Sequence, residues 1–253
     1  MNKIISICSI VILSLFLASC AMLPGYQENT GTKRTASDKT ASTTKGKETS
    51  NNTGKTDANS FVKRKSAKEI ESIRRKLVEG AELYKGAKNI IVRGRSFNMD
   101  CSGVVAAIYY YAGIDLQKYY PHYRGTGTER IYAALKERNL LKKTHLPEPG
   151  DIIFWDNTFD RNKNRKDDDL LTHMGMVVSC DRQGNITYIH YSYARGIVYE
   201  YMNIRYKNYE SQVVKGKTVI INSPMRAKGG NRTNRNWLSG QLINCFAEAY
   251  YLD

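Results

Sequence analysis

Beyond residue 20 the sequence has no apolar run long enough to cross a bilayer, which excludes a chain that threads a membrane repeatedly. It has no internal repeat, which excludes a solenoid or a propeller built from copies of one unit. Acidic residues are scarce: 24 Asp and Glu stand against 39 Lys and Arg, for a net charge of +15, most of it after residue 60. A surface of that sign suits an anionic polymer or simply keeps the protein in solution. Histidine is also scarce. With only His122, His145, His173 and His190 present, any imidazole base has to be one of four. Cysteine numbers five, an odd count that cannot all pair within the chain.

The N-terminus reads as an export signal. Lys3 precedes an apolar run over 4–17 that is too short for a comfortable span, and small residues follow it. Leu17-Ala18-Ser19-Cys20 resembles a bacterial lipobox. That resemblance implies cleavage before Cys20 and diacylation of its thiol, which anchors the chain to a membrane surface. An ordinary secretory signal or an uncleaved anchor are the alternatives. Residues 24–60 are rich in Thr, Lys, Ser, Asn and Gly and poor in large apolar side chains, too poor to offset their ordering entropy. The organisation expected is a lipoprotein signal peptide at 1–19, a lipidated flexible linker at 20–60 and one domain at 61–253. The expected location is the bacterial cell envelope, facing periplasm or exterior. Cys8 leaves with the signal, so the domain keeps Cys101, Cys180 and Cys245. The last two either pair or are small buried residues.

Within the domain, Ser66 and Glu69 fit a capping box, and Ile70, Ile73, Leu77, Ala81 and Tyr84 form one apolar stripe at helical spacing, stopped at Gly86. A second helix starts at Asp100-Cys101 and ends near Gly113, and a third covers 129–139. Pro147-Glu148-Pro149-Gly150 is a turn. Strands are predicted at 151–155, 173–179, 186–191, 197–201 and 217–221, and 242–250 is a strand or a short helix. Helices followed by adjacent strands give an α+β domain with a mostly antiparallel sheet.

Asp100 as N-cap puts Cys101 in the first turn of its helix, where the partial positive charge favours a thiolate. Ser102 and Gly103 are small and leave room for a substrate. His173 opens one strand and His190 lies on the next, with a hairpin turn at 181–185 between them. Pairing of these strands brings the imidazoles to one end of the sheet, as a base and a partner that orients it. His122 and His145 read as surface residues.

Asp100-Cys101-Ser102-Gly103-Val104-Val105 resembles the nucleophile motif of the NlpC-type cell-wall peptidases, which are papain-like cysteine hydrolases. Pro149-Gly150-Asp151-Ile152-Ile153-Phe154-Trp155 resembles the strand leading to that family's base. Thr172-His173-Met174-Gly175-Met176-Val177 resembles its catalytic-histidine strand, and Ile189-His190-Tyr191-Ser192 the strand of its third residue. The related CHAP amidases share the Cys-then-His order. The resemblance implies a papain-like fold, with Cys101 as nucleophile, His173 as base and His190 as orienter. It also implies hydrolysis of an amide in a peptidoglycan stem peptide, with no cofactor needed for the chemistry. A family tyrosine near the oxyanion falls on Tyr84, which is equally the last core residue of its helix. The aromatic-Gly-Gly usual after that tyrosine is absent, and a longer basic segment at 88–95 takes its place, which suggests a remodelled groove.

A polar insertion precedes His173. Asp160, Asn162 and Asn164 alternate as in a calcium loop, with the Lys166 carbonyl and Asp168 at later ligand positions. Arg165 and Leu171 stand where such a loop has Gly and Glu. The segment either wraps a structural calcium ion or stays a solvated, charge-paired loop. The expected partners are peptidoglycan or another anionic envelope polymer, and a membrane through the Cys20 anchor. No nucleic acid is expected, and the chain is expected to be a monomer. The alternatives are an amidase or transferase of the CHAP kind on another envelope substrate, and a silent wall-binding lipoprotein.

Overall fold

The computed structural model describes residues 65–143, 146–228 and 236–253. The signal segment, Cys20, the linker, His145 and residues 229–235 lie outside the described residues.

Helix α1 (Ala67–Tyr84) starts at the expected box: the Glu69 N–H donates to Ser66 Oγ at 3.3 Å and the Ser66 N–H to Glu69 Oε2 at 2.7 Å. Such a cap contributes about 1 kcal/mol. Its stripe of Ile70, Leu77, Ala81 and Tyr84 is buried. A hairpin of β1 (Ile90–Val92) and β2 (Arg95–Phe97) follows, turning through Arg93 and Gly94, both at positive φ. The basic segment at 88–95 is therefore half strand, with Ile90 and Val92 buried and Arg93 exposed. Helix α2 (Cys101–Tyr111) buries every residue from 103 to 109, as a helix apolar on all sides must. Helix α3 (Gly127–Glu137) begins two residues before the expected start, because Thr126 and Glu129 form a second capping box.

The main sheet has six strands. They are β3 (Leu141–Lys142), β4 (Ile152–Trp155), β5 (His173–Cys180), β6 (Asn185–Ser192), β7 (Gly196–Asn203) and β10 (Ile243–Ala247), in the order β3-β10-β4-β5-β6-β7 and antiparallel throughout. The C-terminal segment thus resolves into a short helix α4 (Ser239–Leu242), strand β10 and a 3-10 turn. Strands β8 (Ser211–Val214) and β9 (Lys217–Ile220) pair only with each other in an exposed ribbon, so the strand expected near 217–221 does not join the sheet. Side chains alternate across the sheet. Phe154, Met174, Met176 and Ile189 pack with α1 and α2, while Trp155, Val177, Tyr188 and Met202 form a second cluster. The chain is α+β, with helices packed on a mostly antiparallel sheet.

Cys101, Cys180 and Cys245 are all free. Cys180 and Cys245 do not pair. Cys180 ends β5 and Cys245 lies buried in β10, and burial pushes their thiols up to about 11 and about 12.

Candidate active site

Cys101 is the first residue of α2. Asp100 caps the helix by accepting from the Gly103 N–H at 2.8 Å and from Ser102 Oγ at 2.8 Å. Gly103 is required by space: a Cβ there would sit 2.1 Å from the Asn98 carbonyl oxygen. The start of α3 comes equally close, since a Cβ on Gly127 would lie 2.3 Å from Ser102 Oγ. This approach places Thr128 Oγ1 3.6 Å from Cys101 Sγ. No local pattern marks Thr128, because its place beside Cys101 depends on how two helix starts meet.

Burial raises the Cys101 thiol above its ordinary value of 9.0, against the opposing pull of Thr128 and the Met174 and Ser102 amides. Burial thus works against the thiolate that the helix start favours. A helix dipole contributes about 1 kcal/mol, under one pKa unit, and at Cys101 burial outweighs it.

His173 opens β5 and is opposite Trp155, with the two rings 5.7 Å apart. His173 Nε2 lies 2.8 Å from His190 Nδ1, with the rings nearly perpendicular. That bond leaves the Nδ1 edge of His173 for the cleft it shares with Cys101. Burial, reinforced by His190, holds His173 well below 6.5, and burial with the Arg195 charge lowers His190 to about 3. Both imidazoles are neutral at neutral pH.

Gly175 permits this contact. A Cβ there would be 2.8 Å from the Ile189 carbonyl oxygen, 3.1 Å from the Trp155 ring and 3.2 Å from His190 Cβ. Gly175→Ala is expected to cost about 1–3 kcal/mol of stability through overpacking. It should also lower turnover about tenfold or more by displacing His190. Denaturation and kcat check this, and a variant equal to wild type in both would show that the close approach is dispensable.

The far side of His190 meets residues the sequence reading missed. Its Nε2 is 3.3 Å from Oε2 of Glu200, which is 2% exposed. Tyr188 Oη donates to the same oxygen at 3.0 Å, and Arg195 pairs with the other. The available signal was a lone carboxylate on the same strand face as Met202.

The cleft holds about 590 Å³. Cys101, Thr128, His173 and His190 line it, with Phe159 and Arg161 of the polar insertion on another wall. The insertion is braced at both ends. Thr158 N–H and Oγ1 each donate to Thr172 Oγ1 at 2.9 Å, and the Leu171 N–H donates to Asp156 Oδ1 at 2.7 Å. Arg226 ties Asp167 to the C-terminal part at 2.7 Å, and Arg161 reaches Glu129 of α3 at 2.9 Å. The oxygens expected to ligate calcium are drawn together, onto the loop itself. Asp168 accepts from Asn162 at 3.0 Å and Asn164 at 2.8 Å, Asp160 accepts from the Arg165 N–H, and Asn164 Oδ1 from the Lys166 N–H. Among the described residues no group of three or more His, Cys, Asp or Glu could hold a metal ion.

Tyr84 is not brought to the cleft. It packs edge-on against Tyr111 at 6.4 Å and lines a separate depression with Arg93. It is a core residue at the end of α1, packed on the C-terminal end of α2, whereas Cys101 is at the N-terminal end. His122 is exposed in a 3-10 turn away from the cleft.

A cysteine at a helix start, sharing a cleft with an imidazole that a second imidazole holds, is the arrangement of a papain-like cysteine hydrolase. The chain belongs to the NlpC/P60 family, whose model matches residues 84–218. Comparison with curated proteins and with solved structures gave no match. Members of the family are generally cysteine peptidases or amidases of the cell wall, typically associated with the envelope. No helix among the described residues is long and apolar enough to cross a membrane.

Proposed function

We propose that the protein hydrolyses an amide bond in peptidoglycan stem peptides, with Cys101 as nucleophile, His173 as base and His190 as orienter. The observation that carries this reading is the 2.8 Å bond between the imidazoles beside a cleft that also holds Cys101. With both rings neutral, His173 Nδ1 takes the thiol proton as sulfur attacks the amide carbonyl. The backbone N–H groups at the start of α2 face the developing oxyanion. His173 then protonates the leaving amine, giving a thioester on Cys101. Water attacks the thioester, His173 accepts its proton, and the acid and the free thiol are released. No step calls for a cofactor.

The same reading places this chemistry in a domain at 61–253, held to a membrane through lipid on Cys20 by the 20–60 tether. The test is digestion of purified peptidoglycan by the full-length protein, with products identified by mass spectrometry. New stem-peptide fragments are expected. No fragments, together with a Cys101 inert to alkylation, would leave a wall-binding lipoprotein. The apolar lining contributed by Phe159, Leu171 and Met225 favours one second reading, an amidase or transferase on another envelope acyl group.

The resting state has its own test. A preformed thiolate–imidazolium pair would be alkylated steadily at mildly acidic pH. Here burial raises the thiol and lowers the imidazole, so the resting pair is neutral. Alkylation of Cys101 by iodoacetamide is expected to climb with pH and to show no plateau between about pH 5 and pH 7. The acid limb of kcat/KM should fall well below pH 6.5, because the base is lost only when His173 gains a proton. An alkylation plateau in that range would establish the ion pair instead.

A further inference from the structure

Glu200 is a carboxylate buried in the sheet within reach of the imidazole pair, and the chemistry above gives it no task. Burying an ionised carboxylate costs several kcal/mol unless it is paired and hydrogen-bonded, so its partners should be functional or should be replaceable by apolar packing. It lies on β7 directly opposite Tyr188 of β6, on the face that carries His190. The polar groups around it come from two elements. Tyr188 donates to it from β6 at 3.0 Å, His190 Nε2 is buried 3.3 Å from the same oxygen with no formed hydrogen bond to any described residue, and Arg195 supplies the countercharge from the turn between β6 and β7. Arg195 also lines the cleft, with 57% of its side chain exposed.

We propose that Glu200 is a fourth, positioning residue of the site: it fixes the tautomer of His190 and thereby the direction in which His190 holds His173. A neutral imidazole has one N–H. A carboxylate can only accept, so the His190 proton belongs on Nε2, facing Glu200. His190 Nδ1 is then a lone pair and accepts from the His173 Nε2–H across the 2.8 Å contact. His173 is left with its lone pair on Nδ1, the nitrogen that must take the thiol proton. Without Glu200, His190 could carry its proton on Nδ1 and donate to His173 Nε2. His173 would then hold its own proton on Nδ1 and could not act as a base. One carboxylate therefore sets the polarity of the whole chain from Glu200 to Cys101, and Tyr188 and Arg195 hold that carboxylate in place.

This inference rests on the hydrolase reading for its kinetic consequence, but the tautomer can be measured without substrate. Nitrogen-15 NMR of the full-length protein should show His190 protonated on Nε2 and not on Nδ1, with His173 likewise protonated on Nε2. Glu200→Gln keeps one accepting oxygen, which Arg195 draws, and turns its NH2 toward His190; it is expected to move the His190 proton to Nδ1 and to lower kcat. Glu200→Leu removes the acceptor while filling the space. It is expected to lose the fixed tautomer and to lower kcat about ten- to a hundredfold, as misplacement of a reacting group does, with KM little changed. A purely structural role would move the melting temperature in Glu200→Leu while leaving tautomer and kcat alone, and that pattern would overturn the inference. A wild-type His190 carrying its proton on Nδ1 would overturn it as well, and that result needs no variant to fold. Failure of wall peptides to turn over in the wild type would sink the hydrolase reading and leave the tautomer result to decide this one.

Discussion

Cys101→Ala is expected to reduce turnover of wall peptide by on the order of 10⁴- to 10⁶-fold, to whatever rate binding and oxyanion contacts sustain alone. The size follows from the chemistry: no other group lining the cleft can form the thioester, so the variant loses the intermediate itself. The fold should survive. Cys101 is only partly buried, and the side chain's hydrogen-bond partner, Thr128 Oγ1, is 3.6 Å away, a weak sulfur contact. Stability within about 1 kcal/mol of wild type is therefore expected by chemical denaturation. Steady-state kinetics beside that denaturation curve separates loss of the nucleophile from loss of structure, and retained turnover would remove Cys101 from the mechanism.

His173→Ala should fall nearly as far, and the double variant with Cys101→Ala should fall no further than Cys101→Ala alone, because nucleophile and base act as a unit. Acid–base transfer by one positioned group is worth about 10²- to 10⁴-fold, and here the same group serves both acylation and deacylation. His173→Ala also leaves His190 Nδ1 without the partner it has at 2.8 Å. In buried surroundings that costs about 1–3 kcal/mol, so this variant, unlike Cys101→Ala, should melt earlier. Losses that multiplied in the double variant would mean that Cys101 and His173 work in separate steps.

Much of the frame was legible in the sequence because local rules and tertiary packing agreed. Ser66 and Glu69 cap α1 as their spacing dictates, Asp100 starts α2 at Cys101, and Asp181 closes the hairpin that sets His173 beside His190, accepting from the Gln183 N–H at 2.9 Å and the Asn185 N–H at 2.8 Å. What escaped depends on approach in space. The Arg93–Gly94 turn hid a hairpin inside a basic run whose charges masked its alternating Ile90 and Val92. Tyr84 packs on Tyr111, at the opposite end of α2 from Cys101. Thr128 reached Cys101 only because Gly127 lets two helix starts nearly touch. Glu200 sits on a strand that was expected, but the register that places it opposite Tyr188 is not written in strand propensity. The alternating oxygens from Asp160 to Asp168 fit both an ion loop and a charge-paired loop by spacing, and which groups pair is set in space: Asn162 and Asn164 both donate to Asp168.

Thioester formation on Cys101 can be observed directly. Full-length protein turning over purified peptidoglycan is quenched in acid, digested, and the peptide carrying Cys101 is weighed. An added stem-peptide acyl mass on Cys101 that hydroxylamine removes is expected, with no adduct and no fragment release from Cys101→Ala. Wall fragments released undiminished by Cys101→Ala, with Cys101 unmodified in the wild type, would contradict it.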